Sequence, residues 1–145
     1  MPYMWADTLL DAERAHLFRL LAWGASSVLV GTALIAWLRV RGLRSPLLEQ
    51  FAMLTAAWGT IEIILAFLAR GSLMVRDVSA ATRLDRLLWL NIGLDIGYVL
   101  VGLALAIAGW QLGRRFKLVG AGIGVVVQGG ALVLLHLLFA SQISR

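Results

Sequence analysis

Cysteine is absent from this chain of 145 residues. Its absence excludes disulfides, thiolate metal sites, covalent c-type haem and thiol redox chemistry. Proline is almost absent too. Only Pro2 and Pro46 occur, so no long apolar run is broken by one. Charged residues make up 14% of the chain against 61% hydrophobic, a balance far from that of a soluble domain. The usual catalytic signatures are missing: there is no HExxH, no GxSxG and no phosphate loop. Ser26 and Ser27 have no adjacent base, and such hydroxyls bond the preceding helical turn. The chain therefore reads as a non-enzyme. Its first sixteen residues are acidic and polar, with no basic stretch leading into a short apolar core, so no cleavable signal peptide is expected.

What the sequence does have is long apolar runs, at a mean hydropathy of +0.87. Four stand out: Leu17–Leu38, Leu47–Ala69, Leu87–Leu112 and Leu118–Ala140. Each approaches the ~20 residues that span a hydrocarbon core of about 30 Å. Short connections make sequential helices pack antiparallel. The expected fold is all-α, an integral membrane four-helix bundle running up-down-up-down, with both termini on one side. It forms one transmembrane domain over residues 1–145, with helices near 9–40, 46–70, 83–112 and 117–142.

Boundary residues fit this frame. Thr8 with Asp11, and Thr82 with Asp85, read as capping boxes before the first and third helices. Ser45 followed by Pro46 reads as N-cap and first helical position of the second. Gly42, Gly71 and Gly113 fall where a left-handed residue commonly ends a helix. The third helix, counted from Thr82 to Gly113, runs about 45 Å and projects beyond the bilayer. Trp37 and Trp110 mark one membrane face, Trp5 and Trp89 the other. Trp58 lies mid-span and reads as core packing rather than ligand stacking.

The net charge of +5 comes mostly from arginines at the ends of the runs. That is membrane anchoring, and no nucleic-acid partner is expected. Six basic residues lie in the first and third loops, from Arg39 to Arg44 and from Arg114 to Lys117. Seven lie on the other side, Arg145 among them. Their tighter clustering in the two loops favours those loops in the cytoplasm and the termini outside. The expected place is a bacterial inner membrane, crossed several times.

Inside the runs sit polar residues. Asn91, Asp95, Tyr98 and Gly102, at spacings of four, three and four, share one face of the third helix. A carboxylate near the centre of a lipid-facing helix costs roughly 2.5–3.5 kcal/mol, so Asp95 must face other helices, water or a partner. Glu62 shares its face of the second helix with Thr55 and Gly59, and Gln128 and His136 lie on the fourth. Depth makes Glu62 and Gln128 the expected partners of Asp95. The functional reading of this network is a proton or ion path. The structural reading, favoured for so small a bundle, is a hydrogen-bonded network that fixes helix register.

Gly93 with Gly97, and Gly120 with Gly124, are small-xxx-small pairs that permit close helix packing. Gly93 and Gly97 point away from Asp95, which leaves their face for the fourth helix or an external partner. The two histidines raise a cofactor reading, either bis-histidine haem through His16 and His136 or a tetrapyrrole on His136 alone. Hydrogen bonding by His136 or its partnership with Glu62, and an interfacial place for His16, are preferred, so no cofactor is expected.

The stretches AAWGTIEIILAF (56–67), NIGLDIGYVLVGLAL (91–105) and GAGIGVVVQGGALVLLHLLF (120–139) resemble a bacterial family of four-helix membrane proteins known only as a domain of unknown function. The LDIGY element at Leu94–Tyr98 and the VQG element at Val127–Gly129 carry most of the resemblance. It implies a fold and adds no activity. The leading functional expectation is a non-enzymatic membrane subunit that joins a larger respiratory or photosynthetic assembly, with the lipid bilayer and other membrane subunits as partners. The alternatives are a small homodimeric proton-coupled transporter using Asp95 and Glu62, and a haem or pigment carrier.

Overall fold

The computed structural model describes residues 4–143. They form four helices: α1 (Met4–Val40), α2 (Pro46–Arg70), α3 (Val78–Gln111) and α4 (Phe116–Ile143). All four are long and apolar enough to cross a membrane. Large apolar side chains point outward along every helix, among them Leu29, Leu68, Leu100 and Leu134. In water so much exposed apolar surface would drive association. In lipid it is solvated, and this is an all-α four-helix membrane protein.

The helix starts follow local chemistry. Ser45 caps α2, its hydroxyl accepting from the Leu48 N–H, with Pro46 in the first turn. The other two expected caps are displaced. α3 starts one turn before Thr82, because the Asp77 carboxylate accepts from the Ala80 N–H at 2.7 Å and nothing in the following VSAAT breaks a helix. That hydrogen bond holds the Asp77 carboxyl below its usual range. Thr82 lies inside the helix and donates to the Val78 carbonyl. Thr8 likewise lies inside α1 and donates to the Trp5 carbonyl.

The turns are tight. Gly42 and Gly113 take positive φ of 64° and 81°, as a left-handed cap requires. Arg114 follows at φ 54°, with its guanidinium 5.3 Å from the Trp110 ring centre. Gly71 is right-handed instead, at φ −66°, and the chain leaves α2 through further turn hydrogen bonds at Ser72 and Leu73. Arg145 lies outside the described residues.

Glycine places the helices. On α1, Gly24 meets Gly59 and Ile63 of α2, while Gly31 meets Ala52 and Ala56. On α3, Gly102 meets Gly122 and Val126 of α4, while Gly109 meets Leu118 and Val119. In both pairs the residue number rises on one helix as it falls on the other. Gly120 of α4 lies against the backbone of Leu47, and Gly124 against Leu54 and Phe51, which seats α4 on α2. Trp23 and Arg19 of α1 reach Gln128 and Gln142 of α4. Thus α4 touches all three other helices. Among the described residues, the backbone of α3 comes close to α4 alone. A gap remains between α2 and α3, floored by α4.

Candidate functional site: a polar cleft between α2 and α3

The gap holds the titratable groups. Asp95 is buried on α3, and its Oδ2 lies 2.6 Å from His136 Nδ1 on α4. This hydrogen bond joins α3 to α4 inside the span. The expected partners of Asp95 are therefore replaced. Gln128 accepts from the Trp23 indole at 2.8 Å and donates to Ser27 at 3.2 Å, so it ties α4 to α1. Gln128 shares the depth of Asp95, since its neighbour Gly129 packs on the Asp95 backbone, but its side chain points from α4 toward α1, while His136 presents its ring to Asp95.

Glu62 is buried at 6% exposure, and both of its carboxylate oxygens lack a hydrogen-bond partner. It lines a cavity of about 280 Å³ together with Asp95, His136, Asn91, Trp58 and Tyr98. A second cavity of about 270 Å³ adjoins it, sharing Leu17, Leu20, Ala69, Asn91 and His136. The second cavity leads past His16 to the Glu13–Arg76 pair. Here Arg76 Nε lies 2.6 Å from Glu13 Oε1, and Nη2 lies 3.1 Å from Oε2. The two hydrogen bonds push the Arg76 guanidinium pKa above its ordinary value. The same fork ties the α2–α3 loop to α1.

Ionisable groups therefore follow one another from the loop side into the span: Arg76 with Glu13, then His16, His136 with Asp95, then Glu62. Asn91 and Tyr98 keep exposed edges toward the cleft rather than forming a sealed core. The stripe read on α3 thus splits. Asp95 and Gly102 face α4, while Asn91 and Tyr98 face the opening. Trp58 is half-buried, its ring 5.4 Å from that of Tyr98 across the gap, so it walls the cleft as well as packing in it.

Sequence reasoning misplaced His16 and missed other members. His16 is buried rather than interfacial, stacked on Phe139 at 4.6 Å with its ring 5.1 Å from that of His136. Glu13 and the Trp23–Gln128–Ser27 link were missed. The signal was present: Glu13, His16, Gly24, Ser27 and Gly31 form a polar and small stripe at helical spacing along α1, and all five are buried. The bis-histidine haem reading does not fit this geometry. The two imidazoles approach each other directly, their ring centres 5.1 Å apart, with no slot between them for a porphyrin. Among the described residues no group of three or more His, Asp or Glu side chains is placed to hold a metal ion.

Of the four glycines read as packing positions, Gly120 and Gly124 meet α2, whereas a side chain at Gly93 or Gly97 would meet nothing within 4 Å. No curated protein and no solved structure matches the chain. The model of a family of unknown function, DUF6992, matches residues 19–137, which span the cleft and most of all four helices, and the chain belongs to that family.

Proposed function

We propose that this chain is a small proton-coupled membrane transporter, non-enzymatic, in which Glu62 and Asp95 exchange protons. One observation carries the reading: Glu62 is buried beside a cavity with no hydrogen-bond partner. A network that only fixes register satisfies its members, as Gln128 is satisfied by Trp23 and Ser27. An unpartnered carboxylate inside a membrane needs a proton or a cation. His16, His136 and Asp95 face the same connected cavities and offer a relay toward Glu13 and Arg76. In this reading the chain forms a single transmembrane domain that runs up-down-up-down in a bacterial inner membrane. The ends of α1 and α4 lie together outside, and the protein acts as a homodimer. Protease access to tags at the two ends, on sealed vesicles, should be equal; opposite access would sink the topology.

Asp95 provides the functional test. In Asp95→Asn the amide keeps the size and most of the hydrogen bonding with His136 but cannot titrate. The protein should assemble normally, and proton flux in proteoliposomes should fall at least tenfold. Full flux in Asp95→Asn would mean that the Asp95–His136 contact is structural only.

A second reading, an accessory subunit of a larger membrane complex, is favoured by the vacant glycine face of α3. Gly93 and Gly97 present small residues outward, the surface that permits close approach of another helix. Under this reading Gly97→Leu leaves the chain folded and removes a co-purifying subunit from native mass spectra. Retention of every partner in that variant contradicts it.

A further inference from the structure

The cleft walls and rim differ in chemistry, and the difference points to a class of ligand. At its depth lies Glu62, its carboxylate oxygens buried behind the cavity wall without a hydrogen-bond partner, whereas Asp95 is taken up by His136. Beside Glu62 stand Trp58 and Tyr98, their rings tilted 56° to each other, so that two π faces form an angled wall on the same cavity. Around the opening, Ile61, Leu65 and Leu94 are 45%, 59% and 49% exposed and face the lipid side. A carboxylate selects positive charge. Aromatic faces attract a weakly hydrated cation, and more strongly when it is desolvated. An apolar rim admits a molecule that arrives through the bilayer and excludes small hydrated ions, whose dehydration the rim does not compensate. A cavity of about 280 Å³ also approaches the range of small-molecule sites.

We propose that the cleft between α2 and α3 binds a lipophilic organic cation, its quaternary centre against Glu62 and the Trp58–Tyr98 wall. This deepens the transporter reading by naming its substrate class, and it rests on that reading only for transport, not for binding. Other titratable groups facing Glu62 are Asp95 from α3, His136 from α4 and, through the adjoining cavity, His16 from α1. Neutral His136 leaves the site acidic, and a protonated His136 is balanced by Asp95.

The test uses the full chain in nanodiscs of zwitterionic lipid and titrates benzyltrimethylammonium calorimetrically. Saturable binding at one cation per chain is expected. Affinity should fall at least tenfold in Glu62→Gln and in Trp58→Leu, and stay within about threefold in Trp58→Phe. The Phe variant keeps an aromatic face, so it separates ligand contact from loss of fold. Neopentylbenzene, the neutral carbon isostere, should not compete. Unchanged affinity in Glu62→Gln, or equal competition by neopentylbenzene, overturns the proposal. Cation binding without proton flux would leave the binding site standing and sink the transporter reading. Glu62-dependent proton flux without cation binding would do the reverse.

Discussion

Gly122→Leu should detach α3. A Cβ at position 122 would stand 2.5 Å from the Gly102 carbonyl oxygen and from the Ala106 nitrogen, both backbone atoms of α3. Backbone cannot rotate away as a flexible side chain can, so the helices must separate. Gly102 faces the same constraint from the other side, at 2.8 Å from the Gly122 carbonyl and the Val126 nitrogen. In lipid, helix association depends on such close van der Waals packing rather than on hydrophobic burial. Among the described residues no second backbone neighbour holds α3 in place. Overpacking in a close-packed interior costs typically 1–3 kcal/mol, and here about 3 kcal/mol or more is expected because the clash is with main chain. Thermal unfolding in detergent measures it, with Gly93→Leu as the control. Position 93 has nothing within 4 Å, and its substitution should change stability by less than about 0.5 kcal/mol. A wild-type melting temperature in Gly122→Leu would contradict the packing account.

How far the sequence reveals this structure depends on which signal each part leaves. Four apolar runs of spanning length predict four helices because hydrocarbon thickness imposes the length. Ser45–Pro46 is readable because an N-cap and an N1 proline act locally. Asp77 is not, since a single aspartate before an indifferent stretch competes with the stronger pattern at Thr82 and Asp85. The stripe on α3 shows that Asp95 faces inward, because an acid on the lipid face is too costly. Its partner was not legible. Helical periodicity gives the direction of a side chain, while pairing depends on the relative shift of α3 and α4, which Gly102 and Gly122 set together. The packing glycines show the same limit. A small-xxx-small pair marks Gly120 with Gly124, which meet α2, and equally marks Gly93 with Gly97, which meet no other helix among the described residues. Nor does the sequence reveal the gap between α2 and α3. It follows from α4 lying beneath both, a tertiary arrangement that no local signal encodes.

Glu62→Gln should remove proton flux while leaving the protein assembled. The glutamine has the same length, and with no hydrogen bond to lose at either oxygen it costs the fold little. It also removes the need to neutralise an unpartnered carboxylate in low dielectric, so stability should stay equal or rise. Flux, in contrast, loses its innermost titrating group. Asp95 cannot take over, because its Oδ2 is held by His136 at 2.6 Å and an amide at 62 interrupts the route along the cleft. Stability and activity therefore move in different directions, which a purely structural role of Glu62 does not predict. The decisive measurement is proton movement into sealed proteoliposomes carrying an internal pH dye, under an imposed pH gradient. It compares the wild-type chain, Glu62→Gln and protein-free vesicles. The account predicts wild-type flux at least tenfold above the protein-free background, with Glu62→Gln at that background while eluting as an intact, folded protein. Wild-type flux no greater than that of empty vesicles, or equal in Glu62→Gln, would contradict it.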